Sequence, residues 1–299
     1  MKYPDFFIIG APKSGSTSLF KYLSEHPNVL MSEIKGPHYF ASDINDDNRI
    51  KKKRDYLKLF KKKNKDQTVI GEASVLYLCS KKAIKRIAKK LPHSKLIIIL
   101  RNPIDVVQSW HAEMIWSRLE YNENFENAWI DNISDGDREK NKCIKLDYKN
   151  IFRYGEQIDR VFKYFSKKNV KIIYYEDFSS STKKTYMEIT NFLNIPNYEK
   201  NSFIKHNTYK YYKNKSLQDF LAHPPVYIIK ILNYVKIKFN IKRIGLFKKI
   251  LQYNTYNPKK PKISNFLKNS IIEKYNDDVN HLSKILEKDL NALWFKNKK

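Results

Sequence analysis

The residues best placed to do chemistry stand near the start of the chain: Gly10-Ala11-Pro12-Lys13-Ser14-Gly15-Ser16-Thr17-Ser18. Phe6, Phe7, Ile8 and Ile9 run into this glycine-bounded stretch, and Leu19, Phe20, Tyr22 and Leu23 follow with amphipathic spacing. The order is strand, loop, helix, and the free N–H groups at the start of such a helix suit an anion. Gly10 and Gly15 have the spacing of a nucleotide-phosphate loop, and Thr17 stands where that loop carries its hydroxyl. Ser16 occupies the place of the usual lysine, and a lysine appears inside the loop instead, as Lys13. The chemistry implied is the holding of a phosphate-like or sulfate-like group, with a cation approaching from an unusual side. A second anion site is suggested where the apolar run Leu96-Ile97-Ile98-Ile99-Leu100 ends at Arg101. Pro103 suits a helix start, and Ser109 lies about two turns into the helical pattern of Ile104, Val107, Trp110 and Met114. A guanidinium offers phosphate oxygens a fixed fork, and a hydroxyl adds a neutral donor. A plain strand–helix turn with a surface arginine would read the same way.

Together these segments resemble the sulfotransferases that use 3′-phosphoadenosine 5′-phosphosulfate, whose loop reads Pro-Lys-(Ser/Ala/Cys)-Gly-(Ser/Thr)-(Ser/Thr). The likeness is to the soluble bacterial type and to the catalytic domain of heparan sulfate sulfotransferases. It extends over nearly the whole chain, through His26-Pro27, Lys35-Gly36-Pro37-His38-Tyr39-Phe40, Gly71-Glu72-Ala73-Ser74, Asn124 to Trp129, Val170 to Phe178, and Tyr275 to Trp294. The resemblance implies a co-substrate site formed by Pro12, Lys13, Ser14, Gly15, Ser16, Thr17 and Ser18, with Arg101 and Ser109 gripping the 3′-phosphate. It implies 3′-phosphoadenosine 5′-phosphosulfate as co-substrate, no metal, and a carbohydrate or small-molecule acceptor. Lys13 would contact the transferring sulfate and the leaving phosphate. One departure stands out. Many relatives carry a glutamate directly before the Pro-His, in some of them the base, and this chain has Gly36 there. His38 is the first candidate to replace it, because a histidine near its usual pKa accepts protons at neutral pH. His111 and Glu72 are the other candidates, and each of the three could equally be a structural side chain.

The elements that must position these residues alternate. Strands are read near 5–10, 68–71, 95–100 and 170–175, and helices at 16–25, 81–90, 104–117, 122–132, 154–165 and 182–193. Apolar strands alternating with helices predict an α/β fold: three layers, P-loop-like, with a central parallel sheet flanked by helices. Ligands in such sheets bind beyond the carboxyl ends of the strands. Lys13, Glu72 and Arg101 all stand at strand ends and are expected to meet there. A final helix is expected to put Ile271, Tyr275, Val279, Leu282, Leu286, Leu290 and Leu293 on one apolar stripe.

The chain of 299 residues reads as a single domain, with the stretch from about 205 to 262 a helical lid or acceptor-side subregion. Within it, the basic apolar stretch near 225–250 could also lie on a membrane surface. The first strand begins almost at Met1, which leaves no room for a signal peptide, and Cys79 and Cys143 are too few for a disulfide framework. A cytoplasmic enzyme is expected. The net charge of +27 is spread through lysines in almost every segment, so no nucleic-acid partner is expected despite it. Two other classes stay open on the residues alone: a P-loop kinase or NTPase, and a non-catalytic cofactor-binding or membrane-associated protein.

Overall fold

Short runs of branched and aromatic apolar residues build the centre of the molecule as five strands: β1 (Phe6–Gly10), β2 (Val29–Met31), β3 (Val69–Ala73), β4 (Lys95–Leu100) and β5 (Val170–Tyr174). All pair in parallel, in the order β2-β3-β1-β4-β5. This computed structural model describes residues 2–46, 49–61, 65–134, 144–200, 202–204, 209–225, 228 and 245–296. Alternate strand residues face opposite sides. Phe7, Ile9, Leu96, Ile98 and Leu100 enter one core, and Phe6, Ile8, Ile97 and Ile99 enter the other.

Helices close both faces, because a parallel sheet with two apolar faces must be covered twice. The chain forms α1 (Ser16–Ser24), α2 (Lys53–Leu57), α3 (Ala83–Lys90), α4 (Pro103–Trp116), α5 (Phe125–Ser134), α6 (Tyr154–Phe162), α7 (Tyr175–Ser180), α8 (Thr182–Leu193) and α9 (Lys215–Ala222). Leu19 and Leu23 of α1 and Ile189 and Leu193 of α8 fill the core beneath Phe6 and Ile8. Side chains of α3, α4, α6 and the C-terminal helix Asn265–Leu286 fill the opposite one. The α/β architecture, the parallel sheet and its two flanking layers are as the sequence predicts.

The differences have local causes. β2 escaped the pattern because three residues are too few to show a period. The apolar stripe expected of the last helix is interrupted: the helix ends at Leu286, and Glu287 takes a left-handed conformation with φ 52°. Leu290 and Trp294 return to the core beyond that break, and Asn102 Nδ2 donates to the carbonyl of Trp294 at 2.5 Å.

The stretch read as a lid contains α9, a helix Gly245–Asn254, and a two-stranded antiparallel pair of Tyr211–Tyr212 (β6) with Thr255–Tyr256 (β7). These pieces are fixed to the end of α4. Gln218 Nε2 donates to the carbonyl of Trp116 at 2.6 Å, and the buried Arg118 binds both carboxylate oxygens of Asp219 and the Tyr212 hydroxyl. Most of the basic apolar run expected to cover the cleft or touch a membrane, at 226–227 and 229–244, lies outside the described residues. Among the described residues no helix is long and apolar enough to cross a membrane.

Candidate active site

β1 and β4 are neighbours where the strand order reverses, so the loops that follow them meet at the carboxyl edge of the sheet. The first loop turns sharply, with left-handed residues at Lys13 (φ 57°) and Gly15 (φ 89°). A Cβ at Gly15 would stand 3.1 Å from the Phe178 ring, so both the conformation and the close approach require glycine. Gly15 is also the N-cap of α1 and carries no capping side chain. Ser18 N–H donates to the Gly15 carbonyl at 3.0 Å, and no capping side chain takes the N–H groups before it, the ones that suit an outside anion.

Arg101 follows β4 and reaches back to this loop, its Nη1 donating to the Lys13 carbonyl at 2.8 Å. Its guanidinium lies 4.2 Å from the Tyr175 ring centre, and its Nε is buried without a hydrogen-bond partner. Loop, arginine and α4 bound a cavity of about 400 Å³. Of the residues expected at the co-substrate site, Lys13, Gly15, Ser18, Arg101 and Ser109 line it. Ser109 Oγ donates to the Asp105 carbonyl one turn back. Pro12, Ser14 and Ser16 are buried behind the turn, where Ser14 Oγ donates to the Pro12 carbonyl at 3.3 Å. Thr17 Oγ1 accepts from Lys35 Nζ at 2.9 Å.

The three side chains considered as bases are not among the residues lining this cavity. Glu72 pairs in register with Phe7, and neighbours across a parallel pair share a face, so its carboxylate enters the core around Phe7. There it accepts from the Tyr56 hydroxyl at 2.5 Å and the Tyr77 hydroxyl at 3.1 Å. Burial pushes its carboxyl up to about 7, while Ser74 and the two tyrosines oppose that rise. The sheet therefore brings Lys13 and Arg101 together and turns Glu72 away. His111 sits buried on α4, with Nε2 2.8 Å from the Asn122 carbonyl and its ring beside Phe125 and Tyr148. Burial lowers its pKa against the pull of that carbonyl. His38 has a left-handed backbone (φ 47°), donates its N–H to Ser74 Oγ, and packs edge-on to Tyr77. Burial pushes its imidazole down to about 4, against the Asp46 carboxylate and together with Lys145 and Lys35.

The chain's departure at Gly36 also has a structural basis. Its φ is +78°, and a Cβ there would stand 3.1 Å from His38 Nε2. The imidazole fills the space into which a side chain at 36 would project.

Two charged groups that sequence reasoning passed over complete the site. Glu113 lines the cavity, and its Oε2 is 2.8 Å from Lys13 Nζ. Burial raises its carboxyl, but Lys13, Lys210 and Lys35 outweigh this and hold it below the usual range. Lys35 lies close by; burial pushes its ammonium down to about 8, with Glu113 opposing and Lys13 and Lys210 adding to the fall. Ser109 and Glu113 are four residues apart on one helix and share a face. That spacing was the signal for Glu113, whereas His111 lies two residues from Ser109 and points elsewhere.

The fold and this site define an α/β protein with a glycine-turned loop at a helix N-terminus, a lysine inside the loop and an arginine bonded to it. The chain belongs to the sulfotransferase family, since the Sulfotransferase domain model of that family matches residues 3–226. It is 26% identical over 200 residues to the bifunctional heparan sulfate N-deacetylase/N-sulfotransferase 1 of Caenorhabditis briggsae, covering 65% of this chain and 23% of that protein. It is 28% identical over 162 residues to the membrane-associated sulfotransferase kil1 of Dictyostelium discoideum, covering 52% of this chain and 33% of that protein. The chain thus spans no more than a third of either relative. In fold it is similar to a sulfotransferase from Alicyclobacillus acidocaldarius, with a TM-score of 0.71 at 20% identity over 98% of this chain and 99% of that one. Family membership sets aside the kinase and NTPase readings.

Proposed function

We propose that this chain transfers a sulfuryl group from 3′-phosphoadenosine 5′-phosphosulfate to a hydroxyl or amine of a carbohydrate. The observation that carries the reading is the Lys13 turn, whose side chain lines the cavity while its carbonyl is held by Arg101. Two cations thus converge on an uncapped helix start. The residues fit a ligand with two anionic ends. The loop and α1 would hold the phosphosulfate end, and Arg101, with its buried unpartnered Nε, would hold the 3′-phosphate together with Ser109. Tyr22, Tyr175, Phe178 and Phe203 add an aromatic wall that suits a purine.

The bound co-substrate supplies an activated sulfuryl group. The protein's part is to align an acceptor with it and to stabilise charge on the leaving side. Lys13 supplies that positive charge, and its worth is greatest in the transition state. Chelators are expected to leave turnover unchanged. The carbohydrate acceptor is supported by the heparan sulfate relatives. A single domain and a cytoplasmic location belong to the same proposal, the latter resting on only two cysteines in the chain, of which Cys79 is a buried free thiol.

Calorimetric titration with 3′-phosphoadenosine 5′-phosphate and with ATP, followed by mass spectrometry of glycans incubated with the sulfated co-substrate, tests the reading. Tight binding of the first nucleotide and weak binding of ATP are expected, together with products heavier by one sulfuryl group. Equal affinities would remove the 3′-phosphate assignment, and unsulfated glycans would remove the reaction.

A further inference from the structure

We infer that Glu113 takes the acceptor's proton, filling the role left vacant by Gly36; the inference rests on the sulfotransferase reading above. Glu113 is the one carboxylate among the described residues lining the cavity, and no histidine lines it. Glu72 is bonded to Tyr56 and Tyr77 and His111 to the Asn122 carbonyl, while His38, whose Nδ1 is buried without a partner, packs edge-on to Tyr77 outside the cavity lining. Glu113 also stands in the right relation to the reacting group. It is 2.8 Å from Lys13 Nζ, the cation assigned to the sulfuryl group, and one helical turn beyond Ser109.

Charge supports the role. The groups facing Glu113 are Lys13 from the β1–α1 loop, Lys35 from the stretch after β2, and Lys210 from the segment before β6. They keep the carboxylate ionised at neutral pH, with no proton of its own, and at the same time lower its affinity for one. In the transfer, the acceptor oxygen or nitrogen bonds to sulfur. The bond from sulfur to the phosphate oxygen breaks, and its electron pair leaves on 3′-phosphoadenosine 5′-phosphate. The acceptor proton, made acidic as the new bond forms, passes to Glu113 Oε and later to water.

Glu113→Gln keeps the size of the side chain and removes its basicity. N-deacetylated heparosan and p-nitrophenol serve as acceptors, the first needing a base and the second already ionised near neutral pH. Transfer to the glycan is expected to fall by about 10²–10⁴-fold. Transfer to the phenolate is expected to fall by less than tenfold, and Glu113→Asp is expected to recover part of the glycan rate. Equal losses with both acceptors would show that Glu113 only positions Lys13 and would overturn the inference, as would an undiminished glycan rate. A wild-type protein that binds the nucleotide but sulfates neither acceptor would instead overturn the proposed transfer to a carbohydrate.

Discussion

Single residues set the charge of this cavity and how that charge changes with pH. Arg101 combines a bond to the Lys13 carbonyl with an unpartnered buried Nε, so Arg101→Ala is expected to cost about 1.5–3 kcal/mol of 3′-phosphoadenosine 5′-phosphate binding, the scale of a charged hydrogen bond. The same change should leave ATP affinity nearly unaltered, which calorimetry of both ligands checks. Lys35 gives a pH signature. With its ammonium pushed down to about 8, it is a cation below that pH and neutral above it. Nucleotide affinity should therefore weaken as pH rises through about 8, and Lys35→Ala should abolish the dependence. An affinity that stays flat through that range would show that Lys35 is electrostatically silent. The candidate bases also differ in pH behaviour. His38, at about 4, is neutral throughout the physiological range, so its titration gives no fall in rate near pH 7. A fall near 7 would instead point to Glu72. His38 and Glu113 both titrate low, so substitution, and not a pH profile, separates them.

At the scale of elements, Glu72 shows how a strand face decides a residue's work. Its carboxyl is raised from 4.5 to about 7, so between those values the folded chain keeps a proton that the unfolded chain has lost. Stability then falls as pH rises through that window, by about 3 kcal/mol in order of magnitude. Thermal melts across that range should show the fall in the wild type and a flatter line in Glu72→Gln. The turn at Gly36 carries a different cost. Because its φ is +78°, Gly36→Ala is expected to destabilise the fold by about 1–2 kcal/mol through the left-handed penalty on a Cβ. Denaturant midpoints measure this, and an unchanged midpoint would mean that the turn relaxes. Arg118 ties α9 and β6 to the end of α4. Arg118→Met should loosen that attachment and weaken nucleotide binding indirectly, since Tyr209 and Lys210 enter the cavity just before β6. Titration of Arg118→Met against the wild type checks this, and unchanged affinity would detach the module from the site.

Across the whole molecule, a ligand that binds only the folded chain stabilises it by mass action. 3′-Phosphoadenosine 5′-phosphate at a hundred times its Kd should add about 2.7 kcal/mol, visible as a raised melting temperature. The net charge of +27 should also speed encounter with anionic glycans. Rates with such acceptors are therefore expected to fall with added salt, as screening shortens the reach of the field. A salt-independent rate would assign the lysines to solvated faces alone.

The sequence by itself determined the alternation of strands and helices, the parallel sheet, and the loop and arginine that meet at its edge. These follow from local information: apolar runs mark strands, glycine spacing marks the turn, and neighbouring parallel strands bring their ends together. It also exposed the departure at Gly36. The four-residue step from Ser109 marks Glu113's helix face, but that Glu72 leaves the cavity and Glu113 meets Lys13 in it was decided only in three dimensions. Glu72 and Arg101 both stand at strand ends, but the register of β3 on β1 turns Glu72 into the core with Phe7. Glu113 reaches Lys13, one hundred residues away, because α4 packs beside the first loop. That pairing depends on the path of the chain between the two residues, and no local pattern in the sequence encodes it.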